Sequence, residues 1–463
     1  MSCKLSAAGR ADKDILYDAV ASADFCKALL GLVRHRRRLR GEQGELEAIR
    51  SADLRVLIEE SQATEPHLGR LEHNNSLVFF GNKLVLKLFR RLEPGINPEL
   101  ELAEFLSGQG FANSPALAGA IEYSGGNYTR FTLAVASGLV PSSQDGLAYT
   151  LDGLSRYYDR AITWVAQSRE APAPPPEPIK LLELQITPEM TESIGTYLES
   201  ARLLGVRTAE LHLALASAPE PAPLAPEPFT PHYQRGLFQT MRNLVARNFK
   251  LLRKQMKSLP PDLASLAQRA AELEAVILEV FRSVFEGRIT AKCIRIHGHL
   301  HLGEALWTGK DFIFIDFEGD PMIPLSERHI KRSPLRDVAG MIRSFHYAAY
   351  SGLYQHVERG SIPHENLPKF ETWVRLWKFW VSVAYFQAYC HRLGDSGLLP
   401  GDESELRSML RAYLLHEMMR ELGWELAKPS ARLRIPLEGI ATLLSVQARG
   451  RSSPPAAPPA AAP

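Results

Sequence analysis

Three histidines and one glutamate occupy a short polar stretch, HGHLHLGE at positions 297–304, and an acidic stretch, DFEG, follows at 316–319. An apolar run, FIFI, separates them, so the pattern predicts a strand–loop–strand hairpin. Glu304 and Asp316 would then lie on neighbouring loops. Carboxylates in this arrangement suit Mg²⁺, which takes its other ligands from water or substrate phosphates. The hairpin therefore predicts phosphoryl-transfer chemistry.

Two other interpretations of the hairpin stay open at this point. His297, His299 and His301 alternate along the chain, and alternate residues of a strand share a face, so these side chains could instead hold a transition metal. The stretch could also be no more than polar turns at a buried hairpin. Residues elsewhere in the chain favour phosphoryl transfer.

Lys87 lies in the middle of an apolar segment, LVLKLF, which an alternating pattern around a Gly-Asn turn predicts to be one strand of a hairpin. Asn97 and Pro98 then form a helix-start signature, which places Glu101 early in the next helix. Kinase-like folds hold the α- and β-phosphates of ATP with a strand Lys and a helix Glu. The order Lys87, Glu101, polar loop, Asp316 therefore predicts an ATP site.

The composition limits the class of protein but names no function. The 463 residues include 54 Lys and Arg against 52 Asp and Glu, a formal net charge of +2, and 45% are hydrophobic. These values fit two to three packed units and exclude dominant disorder. We expect no nucleic-acid or membrane binding, because the charge is balanced and no apolar run is long enough to span a bilayer. The start of the chain lacks an apolar signal segment, so we expect a cytoplasmic protein.

Hydrophobic patterning predicts an α+β fold with two lobes. Proline clusters at 171–178 and 218–231 read as extended loops. Before the first cluster, the pattern predicts a helix within 15–43 and a small antiparallel sheet. After it, the pattern is mainly helical and is interrupted only by the catalytic hairpin. A cleft between such lobes is the expected site.

Long stretches of the sequence resemble the maltokinases, which include the C-terminal parts of trehalose synthase fusions and belong to the aminoglycoside-phosphotransferase branch of protein-kinase-like folds. The resemblance runs from about residue 16 to residue 444. It is carried by LVLKLFRRLEPGINPELE, RTAELHLALAS, APEPFTPHYQR with QTMRNL, TGKDFIFIDFEGDP, and PLSERHIKRSPLRDVAGMIRSFHYAAY.

This resemblance implies a bilobal kinase-like fold and an activity. The implied activity is ATP- and Mg²⁺-dependent phosphorylation of maltose, or a related sugar, to the 1-phosphate, in the route to α-glucans such as glycogen. A trehalose synthase, or another glucan-pathway enzyme, is the implied protein partner. The implied organisation is a flexible N-terminus at 1–13, a cap domain at 14–62, an N-lobe at 63–142, a helical C-lobe at 143–446 and a disordered tail at 447–463.

Site roles also follow from the resemblance. Lys87 matches the phosphate-binding Lys and Glu101 its ion-pair partner, while Asp316 matches the metal-binding Asp. Asp337 matches a residue that braces the catalytic loop. The polar loop that covers the phosphates matches Asn74, Asn75 and Ser76.

The chain departs from the family pattern at two places. The family's catalytic loop reads HGD and then HLGQ, so His299 replaces the Asp that accepts the hydroxyl proton, and Glu304 replaces an amide that helps to hold Mg²⁺. In the sugar-binding helix, His416, Glu417 and Arg420 stand where the family commonly has Glu-Lys and a later Tyr. A neutral His can accept a proton, and Glu is a strong oxygen ligand, so we expect a kinase. The alternative is a pseudokinase that binds nucleotide, or a trehalose- or glycan-metabolism partner, without efficient transfer.

Overall fold

The computed structural model describes residues 2–5, 14–51, 55–62, 64–69, 74–125, 129–142, 144–172, 181–427 and 431–450. The strands, in chain order, are β1 Ser2–Leu5, β2 Asp14–Tyr17, β3 Arg38–Arg40, β4 Gly44–Arg50, β5 Pro66–Leu68, β6 Asn75–Phe80, β7 Leu84–Phe89, β8 Leu117–Gly125, β9 Arg130–Gly138, β10 Gln144–Asp145, β11 Glu227–Pro228, β12 Lys292–Cys293, β13 Ala305–Trp307 and β14 Phe312–Phe314.

The helices include short ones of four to eight residues and long ones of more than twenty. In chain order they are α1 Ala23–His35, α2 Arg55–Gln62, α3 Pro98–Gly108, α4 Gly146–Ala166, α5 Pro188–Ile194, α6 Tyr197–Leu215, α7 Pro231–Gln255, α8 Pro261–Glu272, α9 Glu274–Phe285, α10 Leu325–Arg328, α11 Leu335–Glu358, α12 Leu367–Leu393, α13 Glu403–Ala427 and α14 Arg434–Gly450. No helix within the described ranges has the length and hydropathy needed to cross a bilayer.

One compact unit consists of the described residues of Met1–Gly146, His297–His299 and Gly303–Ile330. Its main sheet has the strand order β3-β4-β8-β9-β7-β6-β5, and every neighbouring pair is antiparallel. The hairpins β6–β7 and β8–β9 follow the alternating apolar pattern that predicts them. Apolar side chains of α1, α2 and this sheet form the core of the unit, among them Leu30, Val33, Ile58, Val78, Phe80, Leu86, Ile121 and Ala136.

The helix predicted within 15–43 is shorter than expected. Residues Asp14–Tyr17 form β2, and α1 begins only after Ser22, whose hydroxyl accepts a hydrogen bond from the Phe25 amide. The helix ends at His35 because Arg36 has φ +50°, the left-handed conformation typical of a helix C-cap. The arginine-rich continuation is the edge strand β3, on which Arg38 pairs with Glu47 of β4.

The second compact unit consists of the described residues of Leu147–Ile296, Leu300–Leu302 and Lys331–Pro463. It is mainly helical, as predicted. Gly205 of α6 is essential to its packing, because a Cβ there would lie 2.2 Å from the Tyr385 carbonyl oxygen of α12. Buried aromatic side chains fill the core, including Tyr157, Tyr158, Trp373, Trp377, Tyr385 and Tyr389. These tryptophans and tyrosines at helical spacing are therefore core residues.

Three of the predicted boundaries fall partly outside the described residues. Strand β1, in the stretch predicted as a flexible N-terminus, pairs with β2, which begins directly after that stretch, and α14 continues to Gly450 within the predicted tail. The described ranges exclude 6–13, 173–180 and 451–463. The division of the first part of the chain into a cap at 14–62 and an N-lobe at 63–142 stays a prediction.

Candidate active site

Lys87 lies on β7, an interior strand of the seven-stranded sheet, where it pairs with Leu77 of β6 and Val135 of β9. Its side chain is only 11% exposed, so the ammonium needs charged partners. The Nζ atom lies 2.6 Å from Asp316 Oδ1 and 2.5 Å from Glu318 Oε1. A buried lysine on an apolar strand is thus held by two carboxylates of the DFEG stretch.

A third carboxylate, that of Glu99, lies 3.7 Å from Lys87 Nζ. Burial disfavours the ammonium, but Asp316, Glu99 and Glu318 outweigh it and raise the pKa of Lys87 well above its ordinary value. Burial also acts on Asp316, but Lys87 lowers the pKa of that carboxyl below its usual range. The site therefore holds an ionised Lys87 beside an ionised Asp316.

The pKa of the Glu99 carboxyl shifts in the opposite direction from that of Asp316. Burial raises its pKa, Lys87 lowers it in part, and the nearby Asp316 and Glu318 raise it further, to about 7. Three carboxylates around a single ammonium leave an excess of negative charge, and Glu99 carries the cost because it lies farthest from Nζ.

The ion-pair partner predicted for Lys87 is corrected by these contacts. Asn97 caps α3 as expected, since its side chain accepts from the Glu99 amide, and Pro98 is the first helical residue. Successive helix positions turn by about 100°, so residues two apart point to opposite sides. Glu99 faces Lys87, whereas the Glu101 carboxylate lies 3.2 Å from Nδ1 of His329. Sequence reasoning placed the Glu on the correct helix turn but on the wrong face.

The expected phosphate-covering loop is also corrected in part. Asn75 and Ser76 are the first residues of β6 and are buried. The Asn75 amide donates to Glu318 Oε1 at 2.5 Å, and the Ser76 hydroxyl accepts from Arg90 Nε at 2.8 Å. Asn75 thus orients the carboxylate that holds Lys87. Glu318 was visible in the DFEG stretch, but the sequence assigned it no role.

Asp316 follows β14 at a point of backbone strain. Its φ is +63°, and residues other than Gly adopt this left-handed region rarely, mostly where surrounding contacts enforce it. Gly319 has φ +75° and completes the turn. The ion pair with Lys87 is the contact that holds Asp316 in this conformation.

The polar loop places its residues differently. His297 is buried, its Nε2 lies 2.9 Å from the Ile315 carbonyl oxygen, and its ring packs on Phe317 at 4.9 Å between centroids. His299 is half-buried, and its charge, with that of His297, lowers the pKa of Asp316. His297 is therefore packed inside the hairpin, while His299 lies near enough to Asp316 to act on its carboxylate.

Glu304 ends a single helical turn, Leu302–Glu304, and its carbonyl oxygen accepts from the Ile315 amide at 3.0 Å. The hairpin thus brings positions 304 and 315 side by side, while the sharing of a metal by the Glu304 and Asp316 carboxylates stays a prediction. Within the described part of the chain, no group of three or more His, Cys, Asp or Glu side chains is arranged to hold a metal. The three-histidine metal site consequently gains no support.

The remaining predicted residues belong to the second unit. His301 is half-buried there, next to Leu300, whose carbonyl oxygen would lie 2.6 Å from a Cβ on Gly340 of α11. Leu302 donates its amide to Ser344 of the same helix. Helix α11 therefore packs closely on the loop. Asp337, one turn earlier on α11, is fully buried, and its Oδ2 lies 3.2 Å from His212 Nε2.

Helix α13 carries the positions predicted to bind sugar. Glu417 is buried, accepts from Arg420 Nη1 at 2.6 Å and lies 3.3 Å from Nδ1 of His416. Burial opposes ionisation, but Arg420 and His416 lower the pKa of Glu417 well below its usual range. One turn further on, Glu421 accepts a bidentate pair from Arg343 of α11. The helix therefore presents carboxylates that are already paired with arginine.

Comparison with known proteins begins at low identity. No protein-family model matches the chain. Glucosamine kinase of Mycolicibacterium smegmatis (strain ATCC 700084 / mc(2)155) is 21% identical over 280 residues, which are 60% of this chain. The matched region spans 58% of that relative's length, less than two thirds of it.

Solved structures extend the comparison to almost the whole chain. Glucosamine kinase in complex with glucosamine, ADP and inorganic phosphate matches with a TM-score of 0.63 and 19% identity over 90% of this chain and 96% of that chain. Glucosamine kinase in crystal form B matches with a TM-score of 0.60 and 18% identity over 89% and 93%. The chain therefore has an α+β protein-kinase-like fold, which confirms the fold class predicted from the sequence. Membership of the maltokinases stays a prediction.

Proposed function

We propose that this protein is an ATP- and Mg²⁺-dependent sugar kinase. The observation that carries the proposal is the contact of Lys87 with Asp316 and Glu318 in a kinase-like fold. This geometry sets an ionised Lys beside the acidic turn that follows a β-hairpin; in kinase-like folds a strand Lys contacts the ATP phosphates and the Asp of such a turn holds Mg²⁺. The matches to proteins named glucosamine kinase support a sugar as the phosphoryl acceptor.

Lys87 would contact the phosphates of ATP through its ammonium. Because the ammonium is ionised and already lies between carboxylates, a polyphosphate would compete with Glu318 for it, while Glu99 would remain its partner from α3 and Asp316 would be available to hold Mg²⁺. Asn75 would keep Glu318 in place during that exchange, since it donates to the same oxygen as Lys87. The ammonium thus supplies charge stabilisation and orientation to the phosphoryl group.

The donor set fits Mg²⁺. The Asp316 side chain is ionised and about a third exposed (34%), and the side chain of Glu304, whose carbonyl oxygen accepts from the Ile315 amide, would be the second oxygen ligand. Mg²⁺ is usually held by one or two carboxylates and by substrate phosphates, so a cage of three protein ligands is not required. Bound Mg²⁺ supplies neutralisation of the charge on the transferring phosphoryl oxygens.

His299 occupies the position expected of the base that accepts the hydroxyl proton of the sugar. A neutral imidazole can take this proton, and a general base contributes roughly 10²- to 10⁴-fold to rate. Its charge, when protonated, would then lie near Asp316 and be stabilised by it. Transfer of one proton from the sugar hydroxyl to His299 accompanies transfer of the phosphoryl group to the sugar oxygen.

We propose glucosamine as the first acceptor to test and maltose as the second. Glucosamine follows from the names of the matched proteins, and maltose follows from the sequence motifs. His416, Glu417 and Arg420 are the proposed acceptor-binding side chains. Their ion pairs offer both donors and acceptors to sugar hydroxyls. A trehalose synthase partner belongs only to the maltose hypothesis.

A second candidate function follows from one observation, the His299 side chain at the position of the catalytic Asp. Under this alternative, Lys87 and Asp316 still bind nucleotide, but transfer is inefficient. The protein would then act as a nucleotide-dependent binding protein in sugar metabolism. The two candidates predict the same ATP affinity and different turnover.

ADP release from Mg²⁺-ATP in the presence of glucosamine, maltose or glucose separates the candidates. The comparison includes wild type, the double variant His299→Asp/Glu304→Gln, and Lys310→Met as a control in the exposed turn between β13 and β14. We expect sugar-dependent turnover in wild type and in the control. Turnover that appears only in the double variant would instead establish the binding protein. If none of the three releases ADP with any sugar, the kinase proposal fails.

A further inference from the structure

Residues 320–330, which follow the DFEG stretch, are hydrogen-bonded to the loop before α3. Glu93 of that loop accepts from the Leu325 amide at 3.0 Å and from Arg328 Nη2 at 3.1 Å. Arg328 also donates from Nε to the Ile323 carbonyl oxygen at 2.7 Å. Its side chain is 6% exposed, so its pairing with Glu93 is shielded from water. A buried charge pair with additional hydrogen bonds fixes geometry more firmly than an exposed one.

A second contact of this segment involves α3 itself. Nδ1 of His329 lies 3.2 Å from Oε2 of Glu101, in the first turn of α3, and Nε2 lies 2.9 Å from the Ile96 carbonyl oxygen. His329 therefore bridges the helix and the residue just before its N-cap. Together, Arg328 and His329 hold both sides of the start of α3.

The same segment begins at the candidate active site. Asp316 and Glu318 hold Lys87, and Glu99 of α3 reaches Lys87 from the other side. Residues 316–330 and the first turn of α3 thus both contact Lys87, and they also contact each other through His329 and Glu101. Glu99 contacts Lys87 and Glu101 contacts His329, because the two glutamates point to opposite sides of the helix.

We propose that Arg328 and His329 are positioning residues for nucleotide binding, acting through Glu93 and Glu101 to fix the first turn of α3 where Glu99 meets Lys87. The proposal rests on the proposed function, because it explains how that site is aligned. A displaced α3 would leave Lys87 to pair only with Asp316 and Glu318. The ammonium would then be turned away from the position that receives the phosphates.

If the contacts of Arg328 and His329 only stabilise the fold, a different result is expected. Their loss lowers the thermal midpoint of the variants, but the molecules that remain folded bind Mg²⁺-ATP as tightly as wild type. A positioning role weakens Mg²⁺-ATP binding in the folded state and leaves the KM for the sugar unchanged. Affinity measured well below the midpoint therefore separates the two roles.

The experiment measures Mg²⁺-ATP affinity by calorimetry for wild type, His329→Ala, Glu101→Ala and Glu101→Gln. Glu104→Ala is the matched control, because Glu104 is on the same helix and exposed. We expect about tenfold weaker binding for His329→Ala and for Glu101→Ala, the effect of one lost charge-assisted hydrogen bond. The Gln variant keeps an acceptor oxygen for His329 and should recover most of the affinity, and the control should match wild type.

Wild-type affinity in both His329→Ala and Glu101→Ala, with lower midpoints, would overturn the positioning role and leave the kinase proposal intact. Absence of Mg²⁺-ATP binding in wild type would overturn both. If an alanine variant does not fold, His329→Gln replaces it, because its amide can still donate to one of the two acceptors. Its affinity should then lie between those of wild type and Glu101→Ala, and equality with wild type counts against the proposal.

Discussion

Lys87 Nζ and Asp316 Oδ1 lie 2.6 Å apart although 229 positions separate them in the chain. Each residue contributes a charge that stabilises the other. Lys87 is buried on an apolar strand, and Asp316 has a strained backbone conformation in a turn. The pair therefore connects the main sheet to the turn after the β13–β14 hairpin, and it places a positive charge beside the DFEG stretch.

Replacing Lys87 by Met should abolish nucleotide binding and destabilise the fold. The variant leaves Glu99, Asp316 and Glu318 close together without a cation, and removing one partner of a buried ion pair costs about 3–5 kcal/mol. The loss should be smaller at pH 5 than at pH 8, because protonation relieves the repulsion among the carboxylates. Thermal midpoints with and without Mg²⁺-ATP measure both effects.

The matched control for this variant is Lys310→Met, in an exposed turn of the same hairpin. It should keep the wild-type midpoint and the wild-type shift with Mg²⁺-ATP. A normal nucleotide shift in Lys87→Met would remove Lys87 from the binding site.

The pKa of Glu99, raised to about 7 mainly by burial, predicts a pH-dependent stability. A carboxyl with a raised folded-state pKa binds its proton more tightly in the folded state, so its contribution is present below the unfolded pKa and is lost as pH rises towards 7. Glu99→Gln removes this dependence. Between pH 4.5 and 7, the free energy of unfolding of wild type should fall relative to the variant by up to about 3 kcal/mol.

Urea unfolding at pH 5, 6 and 7 tests this difference. Glu365→Gln provides the comparison at an exposed carboxyl outside α3, where the change of charge alone should have little effect. Parallel stability curves for wild type and Glu99→Gln would contradict the raised pKa.

Local patterns predicted the hairpins β6–β7 and β8–β9 and the long helices, because their apolar periodicity is contained within each segment. Strand β4, with the sequence GELEAIR, was missed. It pairs with the three-residue strand β3 on one side and with β8 on the other, where Ala48 lies opposite Ile121, and the pairing with the distant β8 leaves no local signal. The end of α1 was missed for another reason, since a left-handed Arg36 cannot be predicted from arginine.

The site was predicted in its central pair and missed in its surroundings. Lys87 and Asp316 were visible because a Lys in an apolar strand and an acidic turn after a strand are unusual and occur in the expected order. The choice of Glu99 over Glu101 depends on the rotation of α3 against the sheet, which turns Glu99 towards Lys87 and Glu101 towards His329. Tertiary packing decides that rotation, and no spacing within the sequence encodes it.

Arg343→Met should be strongly destabilising. Arg343 is 2% exposed and donates from Nε and Nη2 to Glu421, so the variant leaves a buried carboxylate without its partner, at a cost of about 3–5 kcal/mol. Adding Glu421→Met should recover most of the loss, since the unpaired carboxylate is then removed as well. Arg202→Met, in an exposed pair with Glu199, is the control and should change the urea midpoint little. Additive losses in the double variant would contradict this account.

Glu417→Gln should weaken acceptor binding while leaving nucleotide binding intact. Glu417 holds Arg420 at 2.6 Å and lies beside His416, so loss of its charge releases the two side chains proposed to meet the sugar hydroxyls. We expect the KM for the sugar to rise about tenfold and the Kd for Mg²⁺-ATP to stay at its wild-type value. Because the pKa of Glu417 is lowered, its ionised form stabilises the fold above the unfolded pKa of about 4.3, and this advantage over the variant is lost as pH falls further. A lower stability at pH 7 with an unchanged sugar KM would identify Glu417 as a structural residue of α13 and direct the search for the acceptor site to other side chains of the second unit.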